Sequence, residues 1–167
     1  LPMLRVGRYN PQPEYLFVKR LLDIVISAIA LVILSPIFLV TAIAIKATDH
    51  GPVFYKQIRL TKDGKEFGIL KFRSMRVDAE KDGENDDRIT PVGKIIRACR
   101  VDELPQLINI LKGDLSIVGP RPERPEIAAQ YCEEMPEFCL RLQAKAGLTG
   151  YAQVYGKYNT TPYDKLT

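Results

Sequence analysis

Apolar residues crowd into one stretch near the N-terminus and are spaced out along the rest of the chain. From Leu21 to Ile45 there are 25 positions with a single charge, Asp23. A helix needs about 20 apolar residues to cross a bilayer core, so this run is long enough to enter a membrane. Ser35-Pro36 falls close to its middle. Proline removes a donor from the helical ladder and crowds the preceding turn, which predicts a kink or a break there. Two readings stand. One is a spanning helix kinked at the proline, which membranes tolerate. The other is a helix-break-helix hairpin that enters one leaflet and returns. Lys19 and Arg20 precede the run and Lys46 follows it. Basic flanks mark the cytoplasmic side, and here they mark both ends, but spacing alone leaves the two readings open. A secretory signal does not fit, because the segment is too long and no small-residue cleavage pattern follows it.

Beyond the run, residues 53–58 and 67–73 read as two strands. The turn from Thr61 to Lys65 contains Asp63-Gly64, so a hairpin is predicted. Residues 77–88 are crowded with charge, the pattern of a solvated loop or exposed helix end. From Thr90 the period becomes helical, with Ile95, Ile96, Leu104, Leu107, Ile108 and Leu111 at three- and four-residue steps. Pro105 suits the first turn of the second of these helices, and Gly113-Asp114 ends it. Residues 124–145 predict further amphipathic helix interrupted at Pro136. Residues 1–14 and the tail from Gly147 show no regular period.

With 167 residues the chain is one domain's worth, and its net charge is +4. That balance suits an anionic lipid surface or a phosphate-bearing substrate. No stretch interleaves basic and aromatic residues, so nucleic acid is not an expected partner. Cys99, Cys132 and Cys139 form no Cys-x-x-Cys pair, and the expectation is three reduced, packing cysteines. His50, the single histidine, cannot build a multi-histidine metal site.

Asp102-Glu103 is the leading catalytic candidate. Adjacent acids at a helix start have a plain explanation, since they complement the helix dipole. Arg97 and Arg100 just upstream add a functional one. Nearby cations keep a carboxylate ionised, as a nucleophile requires, and its neighbour is free to ligate metal. Arg121 stands between Pro120 and Pro122, and this stiff element fixes a guanidinium suited to bidentate phosphate binding. A proline-rich turn with a surface arginine is the plainer reading. Lys71 and Arg73 share one face of a predicted strand and either meet phosphate or face solvent.

Six segments then occur in order. They are Lys19–Asp23, Gly51–Gln57, Lys71–Met75, Asp102–Leu107, Lys112–Ser116 and Val118–Pro122. Together they resemble the bacterial sugar transferase family, the monotopic phosphoglycosyl transferases, over nearly the whole chain from about residue 16. The resemblance implies an α/β fold: a small monotopic membrane domain with an N-terminal re-entrant hairpin broken at Ser35 and Pro36, amphipathic interfacial helices and a short β-hairpin. It divides the chain into a linker (1–15), the membrane hairpin (16–50) and a catalytic domain (51–167). It implies transfer of a sugar-1-phosphate from a nucleotide diphosphate sugar, with uridine the expected base, to a polyprenol phosphate, usually undecaprenyl phosphate. The expected place is the cytoplasmic face of the bacterial inner membrane, at the start of exopolysaccharide or other glycoconjugate assembly. Asp102 would carry the covalent phosphosugar, Glu103 would bind magnesium, and Arg97 and Arg121 would hold phosphate, with Lys71 and Arg73 as further phosphate-binding candidates.

The lead-in resembles the linker of longer members, so a catalytic-domain fragment is expected, with room for a homodimer held by an upstream part. Three features depart from the family pattern. Arg100 replaces a small hydroxyl residue, Ala146 replaces a proline, and the chain ends at Thr167 where members usually continue. The rival reading is a non-catalytic membrane-anchored scaffold, which leaves the acidic pair, its arginines and the Pro-Arg-Pro element unexplained.

Overall fold

A computed structural model describes residues 11–76, 89–150 and Val154. The charged segment 77–88, the first ten residues and most of the tail lie outside the described residues. Helix α1 (Pro13–Asp49) carries the apolar run. Strands β1 (Phe54–Leu60) and β2 (Glu66–Phe72) pair antiparallel with Phe54 opposite Phe72. The hairpin is therefore where the sequence placed it. Asp63 and Gly64 both have positive φ, 59° and 71°, and Lys65 N donates to Lys62 O. Thr61 N also donates to Lys65 O, so three residues, Lys62–Gly64, close the hairpin, and Asp63 and Gly64 supply the left-handed conformations that it needs.

Next come α2 (Pro91–Ala98), a 3-10 turn over Val101–Glu103 and α3 (Gln106–Lys112). Thr90 caps α2 by accepting from Gly93 N, and Gly113 ends α3 at φ 95°. Strand β3 (Ser116–Val118) pairs in parallel with β4 (Gly147–Thr149). Between them lie α4 (Pro125–Glu134) and a 3-10 helix, Pro136–Gln143. The β3–β4 pair was not predicted, because three-residue strands carry too little pattern and β4 starts where the period is lost.

Two apolar clusters hold these pieces together. In one, Phe67 and Ile69 of β2 meet Leu107 and Ile110 of α3, Leu115 and Ala146, against Ala30, Leu31 and Leu34 of α1. In the other, Ile45 of α1 meets Phe72 and Ile96, with Phe38 packed alongside. The outer edge of β2 is closed by a side chain. Asn109 Nδ2 donates to Gly68 O at 2.8 Å, and its Oδ1 accepts from Leu70 N at 2.9 Å. One buried amide thus pairs like a short strand and fixes α3 beside β2.

Helix α1 lies along this body for most of its length. Asp23, Ser27, Leu31, Leu34, Phe38, Thr41 and Ile45 face inward at three- and four-residue steps. Three of those inward positions are polar, while the outward face is apolar, with Val32 74% and Ile33 69% exposed. Hydrocarbon on the outward face is the reverse of a water-soluble surface helix, and it suits a lipid-facing surface. The buried Asp23 is satisfied: it accepts from Ser116 Oγ and Ile117 N, and Lys19 Nζ donates to Ser116 Oγ and Val118 O. Arg20 donates to the carbonyls of Ile110 and Leu111 at the end of α3. Both flanks of the apolar run therefore rest on the same body. Helical structure continues through Pro36, so α1 is one helix and the two-helix hairpin is not shown.

The cysteine expectation is corrected. Cys132 and Cys139 are disulfide-bonded, with their Cα atoms 5.5 Å apart. The chain reverses between α4 and the 3-10 helix at Pro136, which brings two cysteines seven residues apart within bonding range. Residue spacing alone does not reveal that reversal. Cys99 is free and exposed.

Candidate active site

The acidic pair sits between α2 and α3, in the 3-10 turn and not in the first turn of an α-helix. Arg100 starts this turn in the left-handed region at φ 54°, a conformation that costs a non-glycine residue energy. Its effect is to redirect the chain so that Asp102 and Glu103 both lie half-buried. Because Asn109 fastens α3 to β2, the end of β2 lies against the acidic turn. Lys71 Nζ lies 3.4 Å from Glu103 Oε1, and Arg97 approaches from α2. Burial raises the Asp102 carboxyl above its ordinary pKa of 3.8. Lys71 and Arg97 pull it down, while Glu103 pushes it up. The cations thus offset part of the desolvation, and burial outweighs them.

Four of the candidate residues, Lys71, Arg97, Asp102 and Glu103, come together here. Arg73 lies one residue beyond β2. Its Nε is buried with no hydrogen-bond partner among the described residues, and it is not among the charges acting on Asp102. Arg121 is exposed and is surrounded by other groups, Arg59, Glu123 and Arg141.

The Pro120–Glu123 segment is held with unusual completeness. Gly147 N donates to Pro120 O, Arg141 Nη2 to Arg121 O, Arg59 Nη1 to Pro122 O and Leu60 N to Glu123 O. Four successive carbonyls are anchored to three different parts of the chain, two of them by the adjacent Arg59 and Leu60 of β1, leaving the Arg121 side chain outside. Arg59 also lies 3.9 Å from Glu123, and Arg141 stacks over Phe138 at 4.5 Å. Burial lowers the pKa of both Arg59 and Arg141, yet an arginine keeps its charge. A cavity behind this segment is lined by Leu60, Pro120, Arg121, Cys132, Phe138 and Arg141 among others. Neither Asp102 nor Glu103 is among its lining residues.

Sequence reasoning missed Arg59, Arg141 and Asn109, whose value lies in contacts with distant segments. Asp23 had a signal: it is the one acid in the apolar run, four residues after Lys19.

The acidic pair offers hard carboxylate oxygens beside two cations. That set fits magnesium, which is bound through one or two carboxylates together with substrate phosphate and water. No cluster of three or more metal-ligating side chains occurs among the described residues, so such an ion would depend on substrate oxygens.

Residues 14–167 match the family described as bacterial sugar transferase. The chain is 43% identical, over 92% of its length, to a UDP-N-acetylgalactosamine-undecaprenyl-phosphate N-acetylgalactosaminephosphotransferase of Aeromonas hydrophila. It is 42% identical, again over 92%, to a UDP-glucose:undecaprenyl-phosphate glucose-1-phosphate transferase of Caulobacter vibrioides. An undecaprenyl-phosphate galactose phosphotransferase of Salmonella typhimurium is 38% identical over 97% of the chain. The chain spans 38%, 59% and 37% of the lengths of these relatives. On the extent of these matches, the chain belongs to the bacterial sugar transferase family.

Proposed function

We propose that this domain transfers a sugar-1-phosphate from a UDP-sugar to undecaprenyl phosphate through a covalent intermediate on Asp102. The observation that carries this reading is the meeting of Asp102, Glu103, Lys71 and Arg97 from three separate elements. A scaffold has no need to bury two adjacent carboxylates between two cations.

In the first displacement an Asp102 carboxylate oxygen attacks the β-phosphorus. The bond from that phosphorus to the bridging oxygen breaks, and uridine monophosphate leaves with the electron pair. In the second, a phosphate oxygen of undecaprenyl phosphate attacks the same phosphorus. The aspartyl oxygen leaves, and Asp102 is regenerated as the carboxylate. Arg97 and Lys71 offset the phosphate charge in both steps, the dominant need in phosphoryl transfer. Arg121 presents a guanidinium fork to a second phosphate oxygen. Magnesium, held by Glu103, would supply further charge neutralisation.

The lipid substrate requires a site at the membrane face. Both flanks of α1 rest on the catalytic body, and its outward face is apolar. Contacts at both flanks hold the two ends of α1 on one body, as a helix that dips into one leaflet, bends at Ser35-Pro36 and returns would require, although the helix runs unbroken through Pro36. The basic flanks and the nucleotide sugar favour the cytoplasmic face. The Cys132–Cys139 bond weighs the other way, since disulfides persist in oxidising compartments, but a periplasmic domain would lack its nucleotide substrate. The three relatives differ in the sugar they are named for. The product would open a glycoconjugate such as an exopolysaccharide.

The test is release of uridine monophosphate from a panel of UDP-sugars with undecaprenyl phosphate in detergent. Mass spectrometry of enzyme trapped without the lipid should find a phosphosugar adduct on Asp102. Excess chelator, or Glu103→Gln, should suppress turnover. An adduct on another residue, or full activity in chelator, would overturn the corresponding assignment.

A further inference from the structure

We propose that Ser74 is a positioning residue for the reaction at Asp102, acting through Arg97; the inference rests on the function proposed above. Ser74 follows the end of β2 and is 8% exposed. Its hydroxyl accepts a hydrogen bond from Arg97 Nε at 2.7 Å. No described residue takes either Nη of Arg97, whose side chain is otherwise exposed. A guanidinium is a planar fork of five donors. Fixing it by Nε restricts its rotation and leaves both Nη groups for an anion beside Asp102, on which Arg97 already acts.

Ser74 is itself held rigidly. Its carbonyl accepts from Thr90 N at 3.1 Å. Thr90 Oγ1 lies 3.5 Å from the same carbonyl and accepts from Gly93 N at 2.9 Å, capping α2. A Cβ at Gly93 would come within 2.1 Å of Ser74 O. Only glycine lets the first turn of α2 pack so closely on the strand end. Met75 bridges Ile89 alongside. Ser74 and Met75 are thus paired with Thr90 and Ile89, and the helix that carries Arg97 is seated on the serine that orients it. A serine serving only its own turn would bond neighbouring backbone; this one bonds a side chain 23 residues away.

The test measures uridine monophosphate release by the full chain in detergent for the parent, Ser74→Ala, Arg97→Ala and the double variant, with a melting curve for each. Ser74→Ala should fold and lose roughly 10- to 100-fold in kcat/KM, as misplacement of a substrate-orienting group does. Ser74→Cys, near in size but a weak acceptor, should lose activity similarly, which guards against failure of the alanine variant to fold. The double variant should be no worse than Arg97→Ala alone, because a residue that acts through Arg97 has nothing left to act on. The Arg97 Nε–H resonance should exchange slowly in the parent and quickly in both Ser74 variants. Ser74 variants at parent activity beside an impaired Arg97→Ala would overturn the inference, as would losses that multiply in the double variant. An inactive parent would instead sink the functional reading, and this inference with it.

Discussion

The Ser35 hydroxyl donates to the Val32 carbonyl at 2.8 Å, and Val32 is the residue whose carbonyl Pro36 leaves without a ladder donor. The serine therefore replaces the hydrogen bond that the proline removes. In hydrocarbon an unpaired backbone group costs on the order of several kcal/mol, so the pair allows a weak point to exist inside an apolar helix. Replacing Ser35 and Pro36 together with alanine should restore the ladder and favour a straight helix. In a background without native cysteines, a cysteine placed near residue 10 should label only from the cytoplasmic side in the parent. In the double-alanine variant it should label partly from the other side. A parent that labels only from the periplasmic side would show a spanning helix.

Asn109 should matter for stability more than its lack of chemistry suggests. Asn109→Leu keeps the approximate size but leaves Gly68 O and Leu70 N without their partner. An unsatisfied buried group costs about 1–3 kcal/mol; these two are partly exposed, so about 1 kcal/mol each is expected. Denaturant unfolding in detergent should show this loss. It should come with a drop in turnover, because α3 carries the acidic turn to Lys71. A variant as stable as the parent would show that α3 is fastened by apolar packing alone.

Asp102 should oppose the fold it serves. Its pKa is raised on folding, chiefly by burial. A carboxyl that holds its proton more tightly when folded adds stability below its unfolded pKa, and this is lost as pH rises through the folded value. At neutral pH the ionised group is a net cost. Asp102→Asn should therefore abolish turnover while raising the melting temperature at pH 7, and the rise should vanish in acid. The acid limb of kcat/KM should lie above 3.8, the ordinary value. Lys71→Met should push it higher still, since Lys71 is the largest influence lowering the Asp102 pKa. A limb that moves to lower pH in that variant would remove Lys71 from the site.

The membrane-grade run, the hairpin and the acidic pair were legible in the sequence because each rests on local pattern: run length, an Asp-Gly turn, adjacent charges beside arginines. The inward face of α1 was harder to read. Ser27 and Thr41 look like ordinary interruptions until Leu31, Leu34 and Phe38 are seen packed on the same side. The β3–β4 pair and the Cys132–Cys139 bond depend on a chain reversal that leaves no period behind. The grouping of Lys71 with the acidic turn needed Asn109 to bring β2 and α3 together, a contact spanning 39 and 41 residues. Such contacts are set by packing, so residue type and spacing alone do not announce them.

The anchoring of the Pro-Arg-Pro segment separates two roles that residue type would merge. Arg121 is exposed and offers its guanidinium outward, whereas Arg141 is spent on the Arg121 carbonyl and the Phe138 ring. Arg121→Lys should keep the charge, lose the planar fork and weaken phosphate handling. Raised salt should not mimic the defect, because fork geometry differs from a point charge. Arg141→Lys should act differently. It keeps a cation near Phe138 but reaches the Arg121 carbonyl poorly, so Arg121 is left mobile and apparent KM should rise several-fold with kcat less affected. In an Arg121→Ala background the Arg141 substitution should add little to the kinetic defect while still lowering the melting temperature. An Arg141→Lys variant that lowers kcat by the same factor with Arg121 present or absent would make Arg141 an independent contributor and overturn this division of labour.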